Sequence, residues 1–160
     1  MTGLTLNLQG DTQVIVTRRF AAPPARLWAA HTDAALMQRW LTGPDGWVMT
    51  ECQCDARPGG TMRCVWEPEG GGPGGFYLTA EFLEVEPVSR MVHVERMFLP
   101  DATPDNHVET RFAPDGKGTL LTLVMTLPDA TTREAMLATG MEEGMEASYA
   151  RFERMEAVSA

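Results

Sequence analysis

Two rhythms of apolar and polar residues divide this chain. From residue 13 to about residue 127, apolar positions come in short alternating runs, the period of half-buried strands. After residue 130 the spacing changes to steps of three and four. Leu137, Met141, Met145, Ser148, Tyr149, Phe152 and Met155 then share one helical face. Glu142, Glu143, Glu146, Glu153 and Arg154 fall largely on the other. Thr131 with Glu134 three residues later has the form of a capping box, so one long helix is predicted over 131–155.

The alternating part resolves into elements at its turn residues. Residues 13–20 read as a first strand, stopped by Ala21-Ala22-Pro23-Pro24. Proline suits the first turn of a helix, which predicts a short helix over 24–30 carrying Leu27 and Trp28. Asp33 is placed to cap a second, over 34–40, carrying Leu36, Met37 and Trp40. Further strands follow over 47–55, 61–67, 76–86, 91–98, 107–113 and 119–127. In the first of these Val48, Cys52 and Cys54 share a face opposite Glu51 and Gln53; in the second Met62, Cys64 and Trp66 share one. Strands so closely spaced are mostly antiparallel. The pattern predicts an α+β fold: a curved antiparallel sheet of about seven strands wrapped around a long C-terminal helix, with two short helices after the first strand. A single domain over 1–160 is expected, with its core over about 13–155, because no repeat or linker divides the chain.

Composition narrows the function classes. With 160 residues, 44% hydrophobic and 22% charged, the chain can bury a real core. A net charge of −9 argues against nucleic acid or an anionic membrane surface as partner. No apolar run is long enough for membrane insertion, and the first residues lack the basic and apolar regions of a signal peptide. A cytoplasmic location is therefore expected. Cys52, Cys54 and Cys64 are an odd count and are expected to be free, mostly buried thiols. Their Cys-x-Cys spacing is able to hold zinc but lacks a histidine at ligand spacing, so neither a metal nor a cofactor is predicted.

Several stretches together resemble a known family. They are Arg19-Phe20-Ala21-Ala22-Pro23 with Leu27-Trp28, then Thr32-Asp33 and Trp40. Asp55-x-Arg57-Pro58-Gly59-Gly60, Phe82-Leu83-Glu84-Val85-x-Pro87 and Arg90 follow. Gly118-Thr119-Leu120-Leu121-Thr122-Leu123 and Met141-x-x-Gly144-Met145 complete the set. The chain resembles the START-like (SRPBCC, birch-pollen-allergen-like) superfamily, and within it the homologues of the activator of the ninety-kilodalton heat-shock protein's ATPase. Two positions depart from that pattern: Leu41 stands where an aromatic is common, and Ala80 where glycine is usual. The resemblance implies the helix-grip fold. It also implies a hydrophobic small molecule, lipid- or polyketide-like, bound between sheet and helix. Some relatives act there as enzymes and others bind proteins, so fold does not settle function.

Three readings of function follow. The first is binding of such a ligand without an assigned reaction. Trp28, Trp40, Met62, Trp66, Tyr77, Met97, Met125, Met141, Met145 and Tyr149 are then the expected lining, and the eleven methionines suit varied apolar ligands. The same residues also serve simply as core. The second is acid–base catalysis in that cavity, by a histidine with Glu51, Glu81 or Glu95, although no spacing defines a dyad. His31 reads as structural. No nucleophile elbow or phosphate-binding loop is present. The third is a cochaperone-like or stress-response interaction protein whose acidic surface meets a basic partner. A homodimer using Trp47 and the glycine-marked helix is also open. Gly140 and Gly144 each cost the helix about 1 kcal/mol. Close packing, an opened pocket or a bend is expected to offset that.

Overall fold

A computed structural model describes residues 3–159. Eight strands form one antiparallel sheet, and four helices lie against its concave face. In chain order they are β1 (Thr5–Gln9), β2 (Gln13–Phe20), α1 (Pro24–Thr32), α2 (Ala34–Trp40), β3 (Trp47–Cys54) and β4 (Thr61–Pro68). Then come β5 (Phe76–Glu86), β6 (Arg90–Phe98), β7 (Asn106–Asp115), β8 (Gly118–Thr126), α3 (Ala130–Leu137) and α4 (Met141–Ser159). The sheet order is β1-β2-β8-β7-β6-β5-β4-β3. Every neighbouring pair is sequential in the chain except β2 with β8, which brings the start of the chain beside its last strand.

The sheet has one strand more than the alternation predicts. β1 is a short, largely exposed edge strand whose Leu6 opposes Val16. Its five residues carry leucine and asparagine and no β-branched run beyond Thr5, so its strand signal is weak.

The long helix is two helices. Gly140 adopts φ +82°, and the chain turns there before α4 starts. The cap of α3 is Asp129, whose carboxylate accepts the Thr132 N–H at 2.7 Å; Thr131 is inside the first turn and makes no capping box. A carboxylate is the better acceptor for amides at a helix N-terminus, and Asp129 takes that position first. Asp33 caps α2, accepting from Ala35 and Leu36.

Two predicted faces also change. In β3 a bulge between Met49 and Glu51 re-phases the alternation, so Met49 points inward in place of Val48. On α4, Glu146 and Glu153 are half-buried and reach toward the sheet. Arg18 of β2, only 2% exposed in its side chain, forms a bidentate pair with Glu146 at 2.8 Å and a further bond to Glu153 at 2.7 Å. Glu146 also accepts the Leu4 N–H, and the Arg18 guanidinium holds its carboxyl below the ordinary carboxylate range. The two glutamates are seven residues apart, two turns on one face, which lets a single arginine clamp α4 to the sheet.

Two of the family-like motifs are backbone devices. Gly60 packs so closely that a Cβ would sit 2.0 Å from the Asp55 carbonyl oxygen, and at Gly118 one would sit 2.1 Å from that of Phe20. Only glycine fits either place. Gly59 and Gly60 also exchange backbone hydrogen bonds with Phe82, tying the β3–β4 turn to β5.

Candidate ligand-binding site

The sheet's concave face supplies the floor of the candidate site and the helices its walls. Trp40, Met62, Trp66, Met125 and Tyr149 are buried there. Trp28, Met97, Met141 and Met145 are half-buried against the same core. Tyr77 is not among them. It lies on the convex face, stacked on Phe98 at 4.4 Å with the Arg63 guanidinium 4.5 Å from its ring centre. Its neighbour Phe76 takes the inward position, stacked on Trp66 at 5.2 Å. The signal was the pairing of Trp66 with Phe76 on one face of adjacent strands.

The nine inward residues fall into a rigid part and an adaptable part. The Trp40 indole N–H donates to the Ala30 carbonyl at 2.9 Å, and that of Trp66 to the Leu41 carbonyl at 2.8 Å. Trp40 stacks on Tyr149 at 6.0 Å, and Tyr149 meets Phe20 edge-on at 5.4 Å. The two tryptophans are pinned by both packing and hydrogen bonds, and Tyr149 by packing. Burial pushes the Tyr149 hydroxyl's pKa well up, so it stays neutral. The other part lies on α3 and the first half of α4. No residue from 130 to 147 is fully buried, and Met136, Met141 and Met145 are half-covered.

Polar groups stand on the floor. His93 and Glu95 are two apart on β6 and so share its inner face. His93 Nε2 and Glu95 Oε1 are 2.7 Å apart, which makes the ring N–H the donor and the carboxylate the acceptor. Glu95 opposes Asn106 of β7, a residue the sequence placed in a loop. His93 is 8% exposed and Asn106 7%. His93 Nδ1 and Asn106 Oδ1 are buried without a hydrogen-bond partner. Leaving such an atom unsatisfied costs about 1–3 kcal/mol. The i, i+2 spacing of His93 and Glu95 was the available signal; Glu51 and Glu81 take other roles or faces. Glu51 pairs with Arg63 at 2.9 Å, and Glu81 is exposed.

His31 sits nearby against Trp40 and Phe112, with ring centres 5.0 and 5.1 Å away. Desolvation lowers its pKa to about 4, despite the hydrogen bond its Nδ1–H gives the Leu27 carbonyl, and the neighbouring His93 adds to the lowering. The cysteines lie at the far edge. Cys52 and Cys64 oppose each other with sulfurs 3.9 Å apart. The hydrogen bond from Cys64 lowers the Cys52 thiol, while burial raises Cys54 to about 11. Only Cys64 is fully buried, fewer than expected; Cys52 and Cys54 are half-buried. Among the described residues no group of three or more His, Cys, Asp or Glu is disposed to hold a metal ion. Trp47, considered for a self-complementary surface, packs edge-on against Phe76 at 5.3 Å.

Two clefts open on the outside. One, of about 480 Å³, lies between Gln38, Trp47 and Arg151; the other, of about 870 Å³, lies between Pro23, Arg26 and the end of α4. None of the ten sequence-derived candidates lines either. Among the described residues no helix is long and apolar enough to cross a membrane.

Comparison with known proteins agrees with this architecture. A crystal structure of a protein from Rhodobacter sphaeroides is 31% identical, covers 98% of this chain and 99% of its own, and superposes with a TM-score of 0.90. One from Mycobacterium smegmatis, 21% identical, covers 95% of this chain and 96% of its own, with a TM-score of 0.83. A solution structure of an AHSA1-like protein from Aeromonas hydrophila is 19% identical, covers 90% of this chain and 94% of its own, with a TM-score of 0.75. No curated relative matches. The family model described as Activator of Hsp90 ATPase homolog 1-like protein matches residues 21–156, and with that match spanning most of the sheet and all of α1 to α3, the chain belongs to this family of the START-like, SRPBCC superfamily.

Proposed function

We propose that the protein binds a small hydrophobic molecule between the concave face of the sheet and the segment formed by α3 and the first half of α4. One observation carries this reading. The segment 130–147 covers the apolar floor with half-buried methionines and no fully buried side chain, whereas Tyr149 and Phe152 anchor the rest of α4. Methionine repacks easily, so a molecule is admitted by moving Met136, Met141 and Met145 while the pinned tryptophans stay in place. Trp28, Met62, Met97 and Met125 then contribute to the walls and floor.

Thermal-shift screening against a broad panel of apolar molecules, with native mass spectrometry of the purified protein, tests this. At saturating ligand the expected result is a rise in melting temperature that scales with the logarithm of ligand concentration. No stabilisation by any member, with no co-purifying molecule, overturns it.

A second reading is favoured by the inward His93–Glu95 pair: acid–base catalysis on the bound molecule. Chromatography of the ligand recovered after incubation decides between the two. An altered ligand supports catalysis, and an unaltered one supports binding alone.

A further inference from the structure

The geometry points to His93, Glu95 and Asn106 as a recognition site for the hydroxyl group of an apolar molecule, with a phenol or enol as the class of ligand. This rests on the ligand-binding reading above and names the chemistry that reading leaves open.

The argument begins with what the floor lacks. His93 and Asn106 are both more than nine-tenths buried, on adjacent strands, and each keeps one polar atom without a partner. The kind of atom decides the ligand. His93 gives its Nε2 hydrogen to Glu95 at 2.7 Å, so in the neutral imidazole Nδ1 presents a lone pair. The Asn106 amide N–H group is turned to the Met136 sulfur at 3.9 Å, which leaves the carbonyl oxygen. Both free atoms are acceptors, and the missing partner is a donor.

The surroundings select which donor. Phe82 meets the His93 ring edge-on at 5.9 Å, and Val108 and Ala80 stand opposite His93 and Glu95. An ammonium loses far more hydration than a hydroxyl on entering such a place. A carboxylate brings only acceptors and a charge of the same sign as Glu95. A hydroxyl carries one donor at small desolvation cost, and an acidic one makes the stronger bond to imidazole. Glu95 holds the ring from its other side and fixes which nitrogen accepts.

Access runs beneath α3. Met136 of α3 rests on Asn106, and α3 has no buried residue and ends beside Gly140 in its left-handed conformation. The Glu95 side chain keeps 20% of its surface exposed, so the polar end of the site reaches toward solvent.

The test compares 2-naphthol, 2-methylnaphthalene and 2-naphthoate by isothermal titration calorimetry against the wild type, His93→Phe and Asn106→Leu. Asn106→Leu removes one free acceptor while keeping the volume, and circular dichroism confirms the fold of each variant. For the wild type, 2-naphthol is expected to bind about tenfold tighter than 2-methylnaphthalene, the worth of one buried hydrogen bond, and 2-naphthoate no tighter than 2-methylnaphthalene. His93→Phe should lose most of that preference and Asn106→Leu part of it, each judged by the ratio of the two affinities within the same variant. Equal binding of naphthol and methylnaphthalene, a preference that survives in both folded variants, or tightest binding of the carboxylate overturns the hydroxyl site and leaves the hydrophobic reading standing. Failure of all three probes to bind overturns the hydroxyl site, and the broad apolar panel then decides the hydrophobic reading.

Discussion

His31 is a buried switch in the sense of linkage. Its ring is caught between Trp40 and Phe112, and desolvation there holds its pKa at about 4 against an ordinary value of 6.5. The folded protein therefore refuses a proton that the unfolded chain accepts. The contribution to stability is complete above about pH 6.5, declines as pH falls toward 4, and is spent below that. Allowing for the ring's residual exposure, its size is on the order of 2 kcal/mol. Urea denaturation at pH 7 and pH 4.5 should show His31→Gln losing less stability across that interval than the wild type, by about that amount. Equal losses would show that His31 is not the group responsible. Single residues were also where the sequence was hardest to read. Tyr77 and Phe76 are neighbours of equal hydrophobic promise, and only the register against Trp66 decides which turns inward. The pairing of His93 with Glu95 needed that same knowledge of face, and Asn106 needed the true start of β7.

Among elements, the break between α3 and α4 turns on two glycines that do different things. Gly140 has φ +82°, so alanine there forces a left-handed backbone on a residue with a Cβ. Gly144 lies inside α4, and a Cβ added there meets Pro44 at 3.9 Å, an ordinary contact. Gly140→Ala is expected to destabilise by about 1 kcal/mol and Gly144→Ala to stabilise by about 0.5 kcal/mol, measured by urea unfolding. Shifts of the same sign in both would refute this account of the break. The helical pattern over 131–155 was legible because the apolar face continues across the interruption. The interruption was not, because glycine inside an amphipathic run reads as a modest cost in propensity, and only its dihedral reveals a turn. β1 escaped for the opposite reason, being short and largely exposed, with little pattern to see.

For the molecule as a whole, β2 and α4 are joined through one buried cation. Arg18→Met leaves Glu146 and Glu153 without their partner on the covered side of the helix. Loss of about 3 kcal/mol is expected, read from the urea midpoint, with part recovered in the double variant that also carries Glu146→Gln. A change within 1 kcal/mol of wild type would mean that packing alone holds the helix. The overall architecture was readable from alternation, turn residues and the family-like motifs, and Gly60 and Gly118 show why: those motifs answer to the backbone, not to a ligand. The same reason left the site obscure, since residues that specify the fold carry no record of what the fold holds. The exposed character of α3 has one more consequence, and it concerns time. A segment with no buried side chain, held to the sheet by the Arg133 bonds to the Gly10 and Gln13 carbonyls, gives up few contacts on opening, so its amides should exchange through local openings far more frequent than global unfolding. Residence of a bound molecule would then be set by α3 alone, and a variant with a much stronger core would release its ligand no more slowly.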